Sequence, residues 1–333
     1  MPPSAEFVRM PRARCSGAVA YRVGVPSHHP LMDPLTVDRS AILRKSLVPA
    51  SCHAIIVRDG AVLVRDGRLV ERVPGEHPEA SLSVYLGRDG DRDLVALVPT
   101  EASAAKGDAA TNGSDDSAAG ATTGGEQMMG LRDAIRVFLD AGEPGARDSE
   151  LASTAVAITT WHTNHQRCAL CGEPTRPTSG GWVRRCDSDE RDHYPRTDPA
   201  VIVAITDTQD RLLMAHASYW SAGRFSHLAG YVEPGESFEQ AVHREVFEEA
   251  SLKVRDLEYV GSQPWPFPAS IMVGFTARTD DPRFLLDDDE ITEARFVSRA
   301  ELAALVADGT MIVAPAGSIA RRMMEDWYGG PLV

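Results

Sequence analysis

Short apolar runs separated by turn residues dominate the chain between residues 51 and 99. They are AIIV, AVLV, RLV, SLSVYL and LVALVP. Asp59-Gly60, Asp66-Gly67 and Asp89-Gly90 fall between or beside these runs, and Asp-Gly pairs favour tight hairpin turns. The pattern predicts a small domain rich in β-strands.

Helical periodicity follows in two segments, MGLRDAIRVFLDA at about 129–141 and SELASTAVAITTWHTNHQ at about 149–166. We assign the apolar stripe of the second segment to the core: Leu151, Ala155, Ile158 and Trp161. Residues 101–127, which precede these helices, are Ala, Gly, Ser, Thr and Asp with no large apolar side chain. That composition predicts a flexible loop.

From about residue 199, apolar runs of strand length alternate with helical segments. PAVIVAITD, RLLMAHA, LEYVGSQPWPF, SIMVGFTART and ARFVS predict strands, and SHLAGYVE leads from the second of these toward the helix at 237–250. RAELAALVADG and GSIARRMMEDWY predict closing helices, and residues 237–250 predict a further helix without Gly or Pro. We assign the apolar face of that helix to four residues: Phe238, Ala241, Val242 and Val246. The alternation predicts a mixed sheet with helices on both faces.

Composition narrows the class of protein. The chain has 333 residues and a formal net charge of −14, which argues against a broad nucleic-acid-binding surface. No apolar run reaches membrane-spanning length, and the first residues show no signal peptide. Five cysteines, an odd number with three in a metal-type cluster, predict a reducing, cytoplasmic setting.

Three carboxylates share one face of the predicted helix at 237–250. Glu245, Glu248 and Glu249 stand at positions i, i+3 and i+4. Their mutual repulsion destabilises an isolated helix, and a divalent cation would relieve it. Mg²⁺ or Mn²⁺ prefers carboxylate oxygen and bridges to substrate phosphates. The alternative is a solvated acidic face, which the loop before the helix and the adjacent Arg244 disfavour.

A second candidate metal site lies before the last domain. Cys168 and Cys171 form a Cys-x-x-Cys pair, and Cys186 follows. Where a zinc ribbon would place a fourth cysteine, this chain has Asp189. Two neighbours offer alternative ligands: Glu190 and His193. The pattern predicts structural zinc, with a metal-free ribbon as the alternative.

The stretch Gly230–Leu252 resembles the Nudix box, which is Gly, five residues, Glu, seven residues, Arg-Glu, two residues and Glu-Glu. Ser251 stands where the family has Gly. The difference concerns the geometry of the helix end and leaves the carboxylate ligands unchanged. SQPWPFPAS at 262–270 is similar to the signature of the NADH pyrophosphatase branch, and the ribbon before the catalytic domain matches the same branch. Gly181 replaces a Glu that relatives often carry before the ribbon tryptophan. The resemblance covers roughly residues 150–330.

The resemblance implies an α/β fold, the Nudix α/β/α sandwich with a mixed sheet, preceded by a zinc ribbon and a β-rich N-terminal domain. We therefore divide the chain into four parts: an extension at 1–35, the N-terminal domain at 36–160, the ribbon at 163–197 and the Nudix domain at 198–330. It also implies catalytic ligands for Mg²⁺ or Mn²⁺: Glu245, Glu248, Glu249, Glu290 and the carbonyl of Ala229. The implied substrate-binding residues are Tyr194, Tyr231, Gln263, Pro264, Trp265, Pro266, Phe267, Pro268, Ala269, Ser270 and Ala320.

The activity implied is hydrolysis of NADH or NAD⁺ to nicotinamide mononucleotide and AMP, with Glu248 or Glu290 as the general base. Arg244 would pair with a loop Glu, whereas Arg196, Arg321 or Arg322 could reach phosphate. The implied partners are related dinucleotides, NAD-capped RNA 5′ ends and a second copy in a homodimer, with no membrane. Two alternatives stay open: a broader nucleoside-diphosphate hydrolase and a catalytically silent nucleotide sensor.

Overall fold

The computed structural model describes residues 35–101, 125–287 and 289–332. The predicted extension and most of the predicted loop at 101–127 lie outside these residues. The described chain forms an N-terminal sheet with two helices, a small three-stranded sheet, and a larger α/β unit.

Seven strands form the N-terminal sheet: β1 His53–Arg58, β2 Ala61–Arg65, β3 Arg68–Leu69, β4 Glu71–Arg72, β5 Ala80–Asp89, β6 Arg92–Pro99 and β7 Gln127–Gly130. The order is β3-β2-β1-β6-β5, with β4 paired to β1 and β7 to β2. The β1–β6 pair is parallel and the other pairs are antiparallel. Asp59 and Gly60 both have positive φ, 49° and 75°, as the predicted hairpin turn requires.

Two helices, α1 Leu131–Leu139 and α2 Glu143–Asn164, contribute to the core on one face of this sheet. The first begins later than predicted because residues 127–130 pair with β2 as a strand. The second begins earlier than predicted, at Glu143, and a proline in its first turn is compatible with a helix start. Phe138 and Leu151 are buried in the shared core.

The small sheet contains β8 Thr175–Thr178, β9 Val183–Cys186 and β10 Asp192–His193. It is attached to the N-terminal unit through Trp182, whose indole N–H donates to the Tyr85 carbonyl at 2.6 Å. The Arg44 guanidinium lies 3.8 Å from the centroid of the Trp182 ring. Gly181 is in left-handed backbone, and a Cβ atom there would lie 2.9 Å from the Ser83 carbonyl. The close approach to β5 accounts for glycine at this position.

A buried histidine–arginine contact joins α2 to the same small sheet. Arg184 donates to Nδ1 of His162 at 2.8 Å, so His162 donates through Nε2 to the Gly181 carbonyl at 2.7 Å. Burial lowers the pKa of His162 to about 4. The ring is therefore neutral at pH 7 and can accept the arginine's hydrogen bond.

The third unit contains six strands and three helices: β11 Asp198–Thr206, β12 Leu212–Ala217, β13 Leu228–Tyr231, α3 Phe238–Ala250, β14 Arg255–Trp265, β15 Ser270–Arg278, β16 Ile291–Val297, α4 Arg299–Ala307 and α5 Ile319–Tyr328. The sheet order is β14-β15-β11-β12-β16, and β13 pairs with β11. The β11–β15 pair is parallel and its neighbours are antiparallel. The predicted mixed sheet is confirmed.

Alternating residues of β11 pack on opposite faces of the sheet. Val201 and Val203 contribute to a core shared with α3, whereas Ile202 and Ala204 contribute to one shared with α4 and α5. The result is the predicted α/β/α sandwich. On α3, Ala241, Val242 and Val246 are buried as predicted. Phe238 is 42% exposed, so its assignment to the buried face was wrong, because it lies in the first turn and the helix residues that join the core begin at Ala241. Among the described residues, no helix has the length and apolar character needed to cross a membrane.

Candidate active site

The site begins where β13 leads through a short loop into α3. Ser237 caps the helix by accepting a hydrogen bond from the Gln240 N–H at 3.2 Å, and the Gln240 side chain accepts from the Ser237 N–H at 2.7 Å. This reciprocal pair fixes the first turn. At the other end, Ser251 has φ 54°. It therefore adopts the left-handed conformation that the family pattern gives to glycine, at a cost of roughly 1 kcal/mol.

Arg244 connects the loop to the helix. Its guanidinium donates to both carboxylate oxygens of Glu236, at 3.1 and 2.5 Å, and to the Tyr231 carbonyl at 2.8 Å. A further nitrogen donates to Glu245 at 2.8 Å and to Glu248 at 2.9 Å. These contacts raise the pKa of Arg244, chiefly through Glu236. The predicted pairing with a loop glutamate is present, and it orients the carboxylates next to it.

The three helical carboxylates differ in their surroundings. Glu248 is exposed, whereas the side chain of Glu245 is 13% exposed and Glu249 is 6% exposed. Burial, together with the nearby charges of Glu245 and Glu290, raises the pKa of Glu249 to about 8. Its Oε2 atom has no hydrogen-bond partner among the described residues. A buried acceptor without a partner is costly, and this atom is available to accept a ligand.

Glu290 comes from a different part of the chain, directly before β16. Its charge raises the pKa of both Glu245 and Glu249, which places it beside the helical carboxylates. Its carbonyl accepts from the Ser218 N–H at 2.8 Å. Asp287 is exposed, and its carboxylate accepts hydrogen bonds from the N–H groups of Glu290 and Ile291 at 3.2 and 3.0 Å. It therefore shapes the turn that presents Glu290. Asp288 lies outside the described residues.

This donor set fits a divalent cation. Its donors are hard carboxylate oxygens, and Oε2 of Glu249 is buried without a hydrogen-bond partner among the described residues. The carboxylates repel one another, and a bound cation would remove that repulsion. The backbone of Ala229, on β13, forms a hydrogen bond with Glu249, so the predicted carbonyl ligand belongs to a residue beside the carboxylates.

The predicted substrate loop meets the box through Tyr231 and Ser270, whose hydroxyl oxygens are 3.1 Å apart. Tyr231 is 54% exposed, so its side chain is partly accessible to a ligand. Tyr194 is 67% exposed at the end of the ribbon. Two residues later, Arg196 forms a bidentate ion pair with Asp198.

Six loop residues line a cavity of about 590 Å³: Pro264, Trp265, Pro266, Pro268, Ala269 and Ser270. Its other walls include Arg39 and Trp161 of the N-terminal unit and Arg196 after the ribbon. The stripe assigned to the core thus contributes Trp161 to this cavity as well. The sequence carries no signal for this contact, because it joins segments more than a hundred residues apart.

Two of the predicted substrate-binding residues, Gln263 and Phe267, have side chains that contact other parts of the protein. Gln263 is 1% exposed; its amide donates to the Gly317 carbonyl at 2.7 Å and accepts from the Ile319 N–H at 2.8 Å. Phe267 packs against the N-terminal core, with the Arg132 guanidinium 4.5 Å from its ring centroid. Both contacts position the loop and α5. Substrate contacts for these two side chains stay predictions.

The remaining candidates for substrate contact, Ala320, Arg321 and Arg322, also form contacts within the protein. Ala320 is 7% exposed, and its carbonyl accepts from His227 at 3.2 Å. Arg321 pairs with Glu325 at 2.7 Å and Arg322 with Asp326 at 3.4 Å. Phosphate contact by either arginine would compete with an existing ion pair.

The ribbon gathers four potential metal ligands from two turns. One ligand atom from each of Cys168, Cys171, Cys186 and Asp189 lies within 4.8 Å of the others. The two sulfurs of Cys171 and Cys186 are 3.5 Å apart, and Cys168 is 3.1 Å from an Asp189 oxygen. Tetrahedral zinc with Zn–S bonds of about 2.3 Å needs sulfurs roughly 3.8 Å apart. The cluster therefore fits zinc, and it contains Asp189 rather than Glu190 or His193.

Comparison with known families agrees with this geometry. The NUDIX domain model matches residues 196–314, and the NADH pyrophosphatase zinc ribbon domain model matches residues 163–194. The NAD-capped RNA hydrolase NudC of Mycobacterium bovis is 36% identical over 321 residues, which cover 90% of this chain and 94% of that protein. The chain belongs to the Nudix hydrolases. The match to the ribbon model places it in the NADH pyrophosphatase branch, and the resemblance drawn from the sequence is confirmed.

Other relatives of this Nudix hydrolase carry the same name. NudC of Mycobacterium tuberculosis is 36% identical with the same coverage, and NudC of Deinococcus radiodurans is 35% identical over 84% of this chain and 89% of that protein. A solved NUDIX hydrolase from Nitrosomonas europaea is 22% identical, covers 50% of this chain and 94% of that chain, and has a TM-score of 0.38.

Proposed function

We propose that this Nudix hydrolase cleaves the diphosphate of NADH and NAD⁺, giving AMP and nicotinamide mononucleotide. One observation carries the proposal: the Tyr231 hydroxyl is 3.1 Å from the Ser270 hydroxyl. This contact joins the loop of the carboxylate helix to the Pro-aromatic loop that resembles the branch signature. A base on Tyr231 would therefore lie beside the carboxylates that face the diphosphate. The names of the relatives, NAD-capped RNA hydrolases, support the same substrate class.

Glu245, Glu248, Glu249, Glu290 and the Ala229 carbonyl would hold Mg²⁺ or Mn²⁺, which when bound supplies charge neutralisation and polarises the diphosphate. Arg244 holds Glu245 and Glu248 in place through the contacts described above. Water attacks one phosphorus, the bridging P–O bond breaks, and a carboxylate accepts the proton of the water. Glu248 and Glu290, both exposed, are the two candidates for this base.

Removal of the NAD cap from RNA is a second activity of the same site, because the capped end contains the same diphosphate. We propose it from the names of the relatives. We also propose a cytoplasmic location, which the free thiols of Cys52 and the ribbon cysteines support. Zinc in the ribbon would be structural, since Cys168, Cys186 and Asp189 lie outside the sheet and the helix that carry the catalytic carboxylates.

We propose in addition that the chain acts as a homodimer. Tyr194 is 67% exposed and adjoins Pro195, which lines the 590 Å³ cavity with the Pro-aromatic loop. An exposed ring at the edge of an apolar cavity is typical of an interface. Light scattering on the purified protein should give twice the mass of one chain, and a monomer at working concentration would contradict this part of the proposal.

A substrate panel tests the function against its alternatives. The purified chain with Mn²⁺ is incubated with NADH, NAD⁺, ADP-ribose and a diadenosine polyphosphate, and products are identified by chromatography. Preference for NADH or NAD⁺ supports the proposal. Equal rates on all four would favour a broader nucleoside-diphosphate hydrolase, and binding without turnover would favour a nucleotide sensor.

A further inference from the structure

An exposed tyrosine lies on the loop between β12 and β13. Tyr219 is 80% exposed, the highest value for an aromatic side chain among the described residues. Its ring meets the edge of Trp220, with centroids 5.8 Å apart, and Trp220 packs partly against the core of the sandwich. A single exposed ring needs no explanation by itself. Tyr219, however, lies on a loop that is hydrogen-bonded to a segment of the active site.

The loop is tied to the segment that carries Glu290. The Ser218 N–H donates to the Glu290 carbonyl at 2.8 Å, and Ala217 pairs with Ile291 at the adjoining strand ends. Tyr219 is thus one residue from a direct backbone contact with the segment beside the carboxylates. The Trp220 N–H also donates to the Ala217 carbonyl at 3.0 Å, so the turn that presents Tyr219 is closed by hydrogen bonds at its start.

The far end of the loop is equally held. The Phe225 N–H donates to the Ile312 carbonyl at 2.8 Å, and the Ile312 N–H donates to the Gly223 carbonyl at 2.7 Å. The Arg224 guanidinium lies 5.0 Å from the centroid of the Trp220 ring. Within the described part of the chain it forms no ion pair with a carboxylate. The loop is thus held at both ends, and it carries an exposed aromatic ring and an arginine that has no carboxylate partner among the described residues.

Tyr231 and Tyr219 lie at the ends of two different strands of the sheet. Tyr231 is on β13, which pairs with β11, and its hydroxyl contacts Ser270 on β15. Tyr219 follows β12, which pairs with β16 at the other edge of the sheet. A dinucleotide with its nicotinamide on Tyr231 and its diphosphate at the carboxylates would extend its adenosine toward the Tyr219 side. In a capped RNA, the next nucleotide continues from that adenosine.

We propose that Tyr219 and Arg224 bind the RNA nucleotide that follows the NAD cap, the ring by stacking on its base and the guanidinium by pairing with its phosphate. The inference rests on the proposed function and adds a second determinant of substrate choice. Aromatic side chains and arginine are the groups that single-stranded RNA contacts most readily. The chain carries a net charge of −14, whereas Arg224 has no carboxylate partner in the part of the chain that the structure describes, so its charge would attract a phosphodiester.

The test compares two substrates on one enzyme: NAD⁺ and a short single-stranded RNA carrying the NAD cap. For Tyr219→Ser, we expect kcat/KM on capped RNA to fall about fivefold to tenfold, while kcat/KM on NAD⁺ stays within about twofold. Tyr219→Phe keeps the ring and should restore the value on capped RNA. Arg224→Gln should lower the same value and weaken its dependence on salt, because one phosphate contact is lost.

Tyr259→Ser is the matched control. Tyr259 is 62% exposed on β14, at the opposite edge of the same sheet, so its loss should affect neither substrate. Equal losses on NAD⁺ and capped RNA for Tyr219→Ser would overturn the inference, since the ring would then contact the dinucleotide itself. No loss on either substrate would also overturn it. A wild-type enzyme that cleaves NAD⁺ but not capped RNA would end the inference and leave the proposed function standing, whereas cleavage of neither would contradict both.

Discussion

Gly230 lies directly against the carboxylate of Glu245. A Cβ atom at residue 230 would be 1.9 Å from the Glu245 Cδ atom and within 2.2 Å of both its oxygens. The backbone of β13 can therefore approach the helix only because residue 230 has no side chain. This contact gives the first glycine of the box a physical role, which is to leave room for the partly buried carboxylate of Glu245.

Gly230→Ala should consequently displace the Glu245 carboxylate while leaving the protein folded. We expect turnover of NADH to fall about a hundredfold, because a displacement of about 1 Å in a catalytic group costs that much. Gly330→Ala is the control, since nothing lies within 4 Å of a Cβ atom there. Near-normal turnover by a folded Gly230→Ala variant would show that the position of Glu245 is not important.

The ring of Tyr231 can be tested separately from its hydroxyl. Stacking on a base is worth about 0.5–1.5 kcal/mol beyond area burial, so Tyr231→Ala should raise KM for NADH roughly threefold to tenfold. Tyr231→Phe loses the hydrogen bond to Ser270 but keeps the ring, and its effect should be mild. Steady-state kinetics on the two variants decide the point. Equal kinetics would mean that the ring does not contact substrate.

The zinc cluster predicts a defined metal content. Protein purified without chelator should contain about one zinc per chain, measured by atomic absorption. Cys168→Ser should lose the metal and lower the melting temperature more than it lowers turnover per folded molecule. Cys52→Ser is the control, because Cys52 is buried in the N-terminal sheet and outside the cluster. Wild-type protein without zinc would favour the metal-free ribbon.

The raised pKa of Glu249 predicts an unusual dependence of the protein's stability on pH. Burial and the neighbouring carboxylates raise its pKa from an ordinary 4.5 to about 8. A raised folded-state pKa contributes stability at low pH, and that contribution is lost as pH rises through the folded-state value. Without added Mg²⁺ or Mn²⁺, the free energy of unfolding of wild type should therefore fall relative to Glu249→Gln between about pH 5 and pH 8.

Denaturant titrations of both proteins at several pH values measure this difference. Added Mn²⁺ should stabilise wild type more at pH 8 than at about pH 6, because binding must displace the proton of Glu249. If the free energies of unfolding of wild type and Glu249→Gln depend on pH in parallel, the raised pKa assigned to the buried Glu249 is contradicted.

Local patterns in the sequence predict most of the catalytic fold. The spacing of Glu245, Glu248 and Glu249 places them together because the rise and turn of a helix are fixed. The Asp59-Gly60 pair likewise predicts its turn, and the apolar run PAVIVAITD predicts strand β11. The location of Phe238 was missed because a helix position does not tell how far the neighbouring sheet extends.

Contacts between distant segments could not be predicted in this way. The hydrogen bond from Ser218 to the Glu290 carbonyl depends on how β12 and β16 pair, and the His162–Arg184 contact depends on how the ribbon meets α2. Gln263 illustrates the same limit. Its place in a signature loop suggests a substrate contact, whereas its amide is bonded to the backbone of Gly317 and Ile319. Hydrogen bonds of this kind, between a side chain and the backbone of a distant segment, depend on how the elements pack and cannot be inferred from the spacing of residues in the sequence.

The most direct test of the account is hydrolysis of NADH by wild type and by Glu249→Gln, each with Mn²⁺ and each shown to be folded by circular dichroism. Chromatography should detect AMP and reduced nicotinamide mononucleotide in equal amounts from wild type. The variant should be slower by orders of magnitude, because it lacks the buried carboxylate next to Glu245. Near-normal hydrolysis by Glu249→Gln, or products other than these two from wild type, would contradict a diphosphatase built on this carboxylate face.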